Sequence, residues 1–364
     1  MKLLDNCFDE MTSFPWLERS YRKARRQKRY RPEVLKFTAD LDTNLLRIQE
    51  QLRSESFVFG PYRRHWVYIP KKRIVMALPF DSRVVQWAIY LTLKPFYSGL
   101  MIEDSFACLD RKGSLAAARR LQYWLRLVNN RPGDWYYLKL DISKYFYQVD
   151  HAVLLDILGQ RVKDERFMRL IENVISCNGE KFGLPRFTSP EELPEDEWLN
   201  DVGMPIGNLT SQLFANIYLN ELDQFVKHQL HAHFDVRYMD DDIILADKAT
   251  LNSYKDAIEG FLTERLHLDL NRKTAIRPVK QGVEFVGYIV TANSLRLRKQ
   301  TARRMKSAWH GICAKYFAGE MTEAEFKRRI ASYGGMMKHT DNATLKQRMN
   351  EIYLQEREKA MKHE

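Results

Sequence analysis

Apolar residues along the chain switch repeatedly between helical and alternating spacing, and each switch predicts an element. Residues 1–60 read as helical, with Val34, Leu35 and Phe37 clustered and the apolar positions of 41–52 on one helix face. Alternation in His65-Trp66-Val67-Tyr68-Ile69 and again in Ile74-Val75-Met76 predicts a hairpin with Pro70-Lys71-Lys72-Arg73 at its tip. Residues 83–93 return to helical spacing. Trp135-Tyr136-Tyr137-Leu138-Lys139-Leu140-Asp141-Ile142 is β-rich, as are Phe234-Asp235-Val236-Arg237-Tyr238 and Ile243-Ile244-Leu245-Ala246. Between them, residues 185–201 are rich in Pro and Glu and predict an exposed loop. Leu209, Leu213, Ile217 and Phe225 then mark a long helix over 209–230. Past Ser294 the segments are basic and amphipathic, which predicts helices to the end. The sum is an α+β chain.

Composition narrows the class. At 364 residues, with 45% hydrophobic and 12% aromatic residues, the chain can bury two or three cores and is not a disordered segment. No apolar run reaches membrane-spanning length, and Met1-Lys2-Leu3-Leu4-Asp5 lacks the apolar stretch of a secretory signal, so a cytoplasmic protein without a membrane partner is expected. Cys7, Cys108, Cys177 and Cys313 have no paired metal spacing, which predicts reduced thiols. The formal charge of +11 suits a polyanionic partner. The excess gathers at 19–29 and 296–306, followed by Lys327-Arg328-Arg329, with Tyr21, Tyr30, Trp309 and Tyr316 interleaved. Such mixing fits surfaces that meet bases as well as phosphates, although either cluster alone also fits a solvated basic face.

The candidate chemistry lies where the β-rich runs end in acids. Tyr238-Met239-Asp240-Asp241 forms a short turn between two strands and presses two carboxylates together. An isolated Asp-Asp turn is commonly a solvated loop. Here Asp141 ends another strand about a hundred residues earlier, and carboxylates of this kind can hold two metal ions ~3.5–4 Å apart to clamp both oxygens of a phosphoryl displacement. Asp141 is equally suited to cap the helix that follows, and the two roles are compatible. Asp242 extends the acidic run, but strand alternation turns it away from Asp241.

Leu138 to Phe146 and Tyr238 to Asp241 resemble the two catalytic motifs of the reverse transcriptase palm. The likeness continues in order along the chain. Leu78-Pro79-Phe80-Asp81-Ser82-Arg83-Val84-Val85-Gln86 resembles a fingers segment, and Ser105-Phe106-Ala107-Cys108 with Lys112-Gly113-Ser114 the next block. Met204-Pro205-Ile206-Gly207-Asn208-Leu209-Thr210-Ser211-Gln212 resembles the motif that supports the templating pair, and Val283-Glu284-Phe285-Val286-Gly287-Tyr288 the primer-grip hairpin. One departure is informative. Ile206 stands where most enzymes of this pattern carry Gln, and the Ile-Gly-x-x-x-Ser-Gln form is similar to reverse transcriptases of diversity-generating retroelements.

The resemblance implies a right-hand polymerase of α+β class: a basic N-terminal extension over 1–60, fingers over 61–134, a palm over 135–290 with part of the fingers in 150–205, and an α-helical basic thumb over 291–364. It assigns catalysis to Asp141, Asp240 and Asp241, which with Ile142 would hold two Mg²⁺ ions, Mn²⁺ being a substitute. Lys71 and Arg73 would lie over the triphosphate of the incoming nucleotide, or form an ordinary basic hairpin tip. Phe146 would sit under the sugar and exclude a ribose 2′-OH, or simply pack. Pro205, Ile206, Gly207 and Gln212 would border the nascent pair, and Ile206 would deny it the amide hydrogen bonds of Gln. Lys273 would assist the pyrophosphate leaving group, or be a surface lysine; Met239 would lie near the primer end, or pack. Phe285, Val286 and Gly287 would meet the primer, Gly287 allowing close approach or marking a bulge. Expected partners are a template RNA, the RNA/DNA hybrid, dNTPs and a small basic accessory protein. The implied activity is cDNA synthesis with errors at template adenines. A defence-associated reverse transcriptase without mutagenic retrohoming stays open, as does a non-catalytic RNA-binding scaffold; an RNA polymerase is disfavoured by Phe146.

Overall fold

The computed structural model describes residues 2–68 and 73–362, the side chain of Asn178 excepted. Four helices come first, α1 (Phe8–Met11), α2 (Phe14–Ala24), α3 (Pro32–Ala39) and α4 (Leu41–Arg53), followed by β1 (Arg63–Val67) and β2 (Arg73–Ala77). Next come α5 (Phe80–Ser98), α6 (Ser114–Asn129), β3 (Tyr136–Asp141), α7 (Tyr145–Gln148), α8 (His151–Gly159), α9 (Glu165–Ser176) and α10 (Leu209–His228). The chain continues through β4 (Asp235–Tyr238), β5 (Asp241–Ala246), α11 (Lys248–Arg265), β6 (Ala275–Pro278), β7 (Val283–Phe285), β8 (Tyr288–Val290) and β9 (Leu295–Leu297), and ends in α12 (Lys299–Phe317), α13 (Glu323–Lys338) and α14 (Ala343–Met361).

These elements form two compact units. The first comprises Met1–Asp110, Asp141–His231 and Tyr254–Lys273. Its centre is α5, whose Val84, Val85, Ala88, Ile89 and Leu93 are completely buried. Helix α2 packs along it, and Tyr21, Phe37 and Phe80 form an aromatic knot with centroids 5.1–6.1 Å apart. Helix α10 is buried almost all round, as an interior helix must be. The 185–201 segment is not wholly exposed as its composition predicts: Trp198 is 2% exposed, joining Ile74, Met76, Phe182 and Leu184 in one cluster. A single aromatic can bury more area than the surrounding acids lose, so it docks the loop.

The second unit comprises Arg111–Leu140, Ala232–Ser253 and Thr274–Glu364. It holds a four-stranded sheet in the order β4-β5-β3-β6 and a three-stranded sheet β7-β8-β9. Helix α6 lies against β4, where Trp124 meets Phe234 edge-on at 5.2 Å. The three C-terminal helices form the predicted helical segment around Trp309, Tyr316, Phe326 and Tyr353. All four cysteines are free, and burial pushes the Cys7 and Cys177 thiols up to about 12, so both are protonated. Among the described residues no helix is long and apolar enough to cross a membrane.

Candidate active site

The acidic turn is built by strand pairing. Strands β4 and β5 run antiparallel with Tyr238 opposite Asp241, leaving Met239 and Asp240 as a two-residue loop. Tight hairpins need a positive φ, which glycine normally supplies. Met239 carries it instead, at φ 55°, a conformation that costs a non-glycine residue about 1 kcal/mol. Arg237 compensates: its Nη1 donates to the Met239 carbonyl at 2.9 Å. Its side chain is 1% exposed and faces Asp242, 4% exposed, in the register of the hairpin. Asp242 therefore belongs to the hairpin core, as its alternation predicts.

Asp240 and Asp241 are half-buried, and Asp241 has a cation beside it. Lys139 Nζ lies 3.2 Å from Asp241 Oδ1 and donates to the Glu284 carbonyl at 2.8 Å. One ammonium thus ties β3 to the first residue of the acidic strand and to β7. Sequence reasoning assigned Lys139 no role, although its place two residues before Asp141, on the same strand face, was a usable signal. Replacing Lys139 with Met is expected to cost ~1 kcal/mol, a drop of roughly 3 °C in metal-free melting temperature. Added Mg²⁺ should recover more of that loss in the variant than it adds to the parent protein, since the ion replaces the lost charge; equal Mg²⁺ responses in thermal melts would discard the idea.

Glu284 adjoins the predicted primer grip. Phe285 pairs with Tyr288, leaving Val286 (φ 44°) and Gly287 (φ 90°) as another two-residue loop with both residues in the left-handed region. A Cβ at Gly287 would meet nothing nearer than Thr301 Oγ1 at 3.8 Å, so the backbone angle, not crowding, calls for glycine. Phe285 is fully buried, which confines any primer contact there to the main chain.

In the first unit, Asp141 leads into a bridge between Ile142 and Leu270. Its bonds use the flanking groups, Asn271 N–H to the Asp141 carbonyl at 2.7 Å and Ser143 N–H to the Asp269 carbonyl at 2.8 Å. The Ile142 carbonyl therefore points the other way, as a metal-binding carbonyl would need. Lys273 is exposed, its amide held by Asn271 Oδ1 at 3.1 Å.

Four predicted nucleotide contacts, Phe146, Pro205, Ile206 and Gly207, converge. The Phe146 carbonyl accepts from Met204 N–H at 2.7 Å, beside buried Pro205, and the Ile206 carbonyl accepts from Met76 N–H at 2.8 Å on β2. Gly207 is required twice over: φ is 118°, and a Cβ would lie 2.8 Å from the Met76 carbonyl oxygen. Asn208 Nδ2 then donates to the Tyr62 hydroxyl at 2.7 Å, a brace that nothing in the local sequence signals. Arg73, exposed on β2, lends positive charge to the Tyr147 hydroxyl, whose pKa burial raises. Phe146 is half-buried and meets Tyr145 edge-on at 5.6 Å. Gln212 accepts a weak bond from Cys108 Sγ at 3.5 Å. Lys71 lies outside the described residues.

Among the described residues no three His, Cys, Asp or Glu side chains form a ready metal cluster. The donor chemistry nevertheless suits a hard cation: oxygen ligands only, with the Lys139 ammonium standing where a positive charge neutralises Asp241.

Comparison with known proteins decides the class. A family described as "Reverse transcriptase (RNA-dependent DNA polymerase)" matches residues 69–290. The chain belongs to that family. The chain mixes helices and sheets, and reverse transcriptase domains generally use divalent metal ions. Similar proteins include Protein YkfC of Escherichia coli, 26% identical over 80% of the chain and 82% of YkfC. Another is the group II intron-encoded protein LtrA of Lactococcus lactis, 25% identical over 56% of the chain. A telomerase from Candida tropicalis, solved with a fragment of telomeric RNA, covers 84% of the chain at 13% identity with a TM-score of 0.46. The chain spans 31% of LtrA and 54% of that telomerase.

Proposed function

We propose that this reverse transcriptase extends a DNA primer on a template RNA by two-metal nucleotidyl transfer. The observation that carries the reading is the sheet order β4-β5-β3-β6, in which the strand ending at Asp141 neighbours the strand that begins at Asp241. Asp141, Asp240 and Asp241, with the Ile142 carbonyl, would hold two Mg²⁺ ions, with Mn²⁺ as a substitute. Divalent ions held there would supply charge neutralisation to the phosphoryl group in transfer. In the reaction the primer 3′-hydroxyl gives up its proton to water as its oxygen bonds to the α-phosphorus of a dNTP, the α–β bridging P–O bond breaks, and pyrophosphate departs.

The chain's other residues orient and select. Arg73, with Lys71, offsets the triphosphate charge, and Lys273 that of the leaving pyrophosphate. Phe146 excludes the ribose 2′-OH, while the Phe285–Gly287 turn offers main chain to the primer and Met239 packs near its end. These roles correspond to fingers at 61–134, a palm at 135–290 that shares 150–205 with the fingers, and a thumb at 291–364, with a basic extension at 1–60. A small basic accessory protein and mutagenic retrohoming, as in diversity-generating retroelements, complete the reading.

The error-prone character rests on Ile206. Its main chain is held by β2 and Gly207 whatever its side chain, so a Gln there would add amide hydrogen bonds without moving the backbone. Purified protein, a primed RNA template, dNTPs and Mg²⁺ should yield cDNA with errors concentrated opposite template adenines. Ile206→Gln should lower that error frequency roughly tenfold, read by sequencing the products. Uniformly accurate cDNA from the parent protein would sink the mutagenic reading and favour a defence role. No extension, even with native RNA and accessory protein, would sink the polymerase itself.

A further inference from the structure

We propose that the cavity between α2 and α5 is a second nucleotide-binding site, separate from the polymerase centre, which takes a base with its attached phosphate. The cavity has a volume of about 740 Å³, within the range of small-ligand pockets. Both walls belong to the first unit. Arg19 and Lys23, one helical turn apart on α2, and Arg26 and Lys28 in the turn after it form one side. Trp87, Tyr90 and Lys94, at helical spacing on α5, form the other. Among the described residues the lining holds five cations and a single acid, Asp110, already bonded to Lys94 at 2.5 Å.

Such a concentration of like charge calls for an anion. The pKa of Lys28 is lowered by burial and then by the charges of Arg83 and Arg31, a repulsion that a bound phosphate would relieve. Charge alone would suit any polyanion; the aromatic wall is what selects nucleotides. Trp87 and Tyr90 meet edge-on at 5.4 Å and are half-buried, and Lys94 Nζ lies 5.4 Å from the Tyr90 ring centre. A base stacked on such a ring gains about 1–3 kcal/mol, and its phosphate would face the arginines and lysines of the opposite wall. The concave shape excludes a flat bilayer. The nucleotide comes either from an RNA strand or from a free mononucleotide, and both present the same base and phosphate.

The test uses the full-length protein with two probes, a short fluorescein-labelled single-stranded RNA followed by anisotropy and ATP followed by tryptophan quenching. The variants are Lys23→Glu/Arg26→Glu and Trp87→Leu, with Lys23→Gln/Arg26→Gln as the milder pair if the reversal unfolds. The charge reversal should weaken RNA binding roughly tenfold and lower the log–log salt slope by about 1.4, two phosphate contacts' worth for a single strand. Trp87→Leu should weaken binding by roughly fivefold or more and leave that slope unchanged, since it removes stacking and not charge. Extension of a short primed template should be unchanged in both, which separates this site from the polymerase centre. ATP that competes with the RNA identifies a mononucleotide pocket; RNA binding indifferent to ATP, yet lost in the variants, identifies a strand site. RNA and ATP binding within twofold of the parent in both variants overturns the proposal.

Discussion

Asp240→Asn is expected to reduce primer extension roughly a thousandfold while leaving the fold intact. Asp240 is the second residue of a two-residue hairpin loop and lies outside the paired positions of the β4–β5 ladder. Asn has nearly the same shape and is as well suited to tight turns, so the backbone has no reason to change. What disappears is one negative charge and an anionic oxygen ligand. If that carboxylate helps hold a divalent ion, its loss withdraws several kcal/mol from the transition state, and ~4 kcal/mol corresponds to a factor of about a thousand. The measurement is single-turnover primer extension in Mg²⁺ and in Mn²⁺, beside a thermal melt. A variant that keeps a tenth of the parent rate removes Asp240 from the metal set. A melting temperature lowered by many degrees would instead make the loss structural. A scaffold role predicts a third pattern, with the biological activity retained by the variant.

Residues near one another in sequence made most of this site legible. The Asp-Asp turn needs only two β-rich runs with a short acidic link, and Gly207 and Gly287 stand at positive φ in loops whose motifs were already apparent. The long α4 and α10 show in their periodicity. Partners distant along the chain were not legible. Lys139 reaches Glu284 across 145 positions, and Asn208 reaches Tyr62 across 146. Those bonds depend on which strands and loops become neighbours, and local spacing carries nothing about that. Helix α6 escaped for another reason. Ala117, Ala118, Leu121, Leu125 and Val128 do follow a helical stripe, but Arg119, Arg120 and Arg126 interrupt it with charge. Trp198 shows a third limit: a loop's average polarity can hide the one aromatic that anchors it.

Arg237→Leu is expected to destabilise the protein by ~3–5 kcal/mol, because it removes the cation from a buried charged face. Residues 235 and 237 alternate onto the same side of β4, and register sets Asp242 of β5 directly opposite Arg237. All three side chains are less than 5% exposed, so solvent does little to screen or replace the lost charge. Leucine fills part of the volume yet leaves two carboxylates in a low-dielectric interior and strips the Met239 carbonyl of its guanidinium donor. The melting temperature should fall by roughly 10 °C, and extension activity should fall with it, since the acidic turn loses its brace. Arg237→Leu/Asp242→Leu tests the cause. If uncompensated charge is responsible, the second substitution should return at least half of the lost stability, even though it removes another native side chain. Additive losses in the double variant would point instead to packing. A single variant that melts within a degree or two of the parent would mean that Arg237 is held in the hairpin core for specificity of register and not for stability.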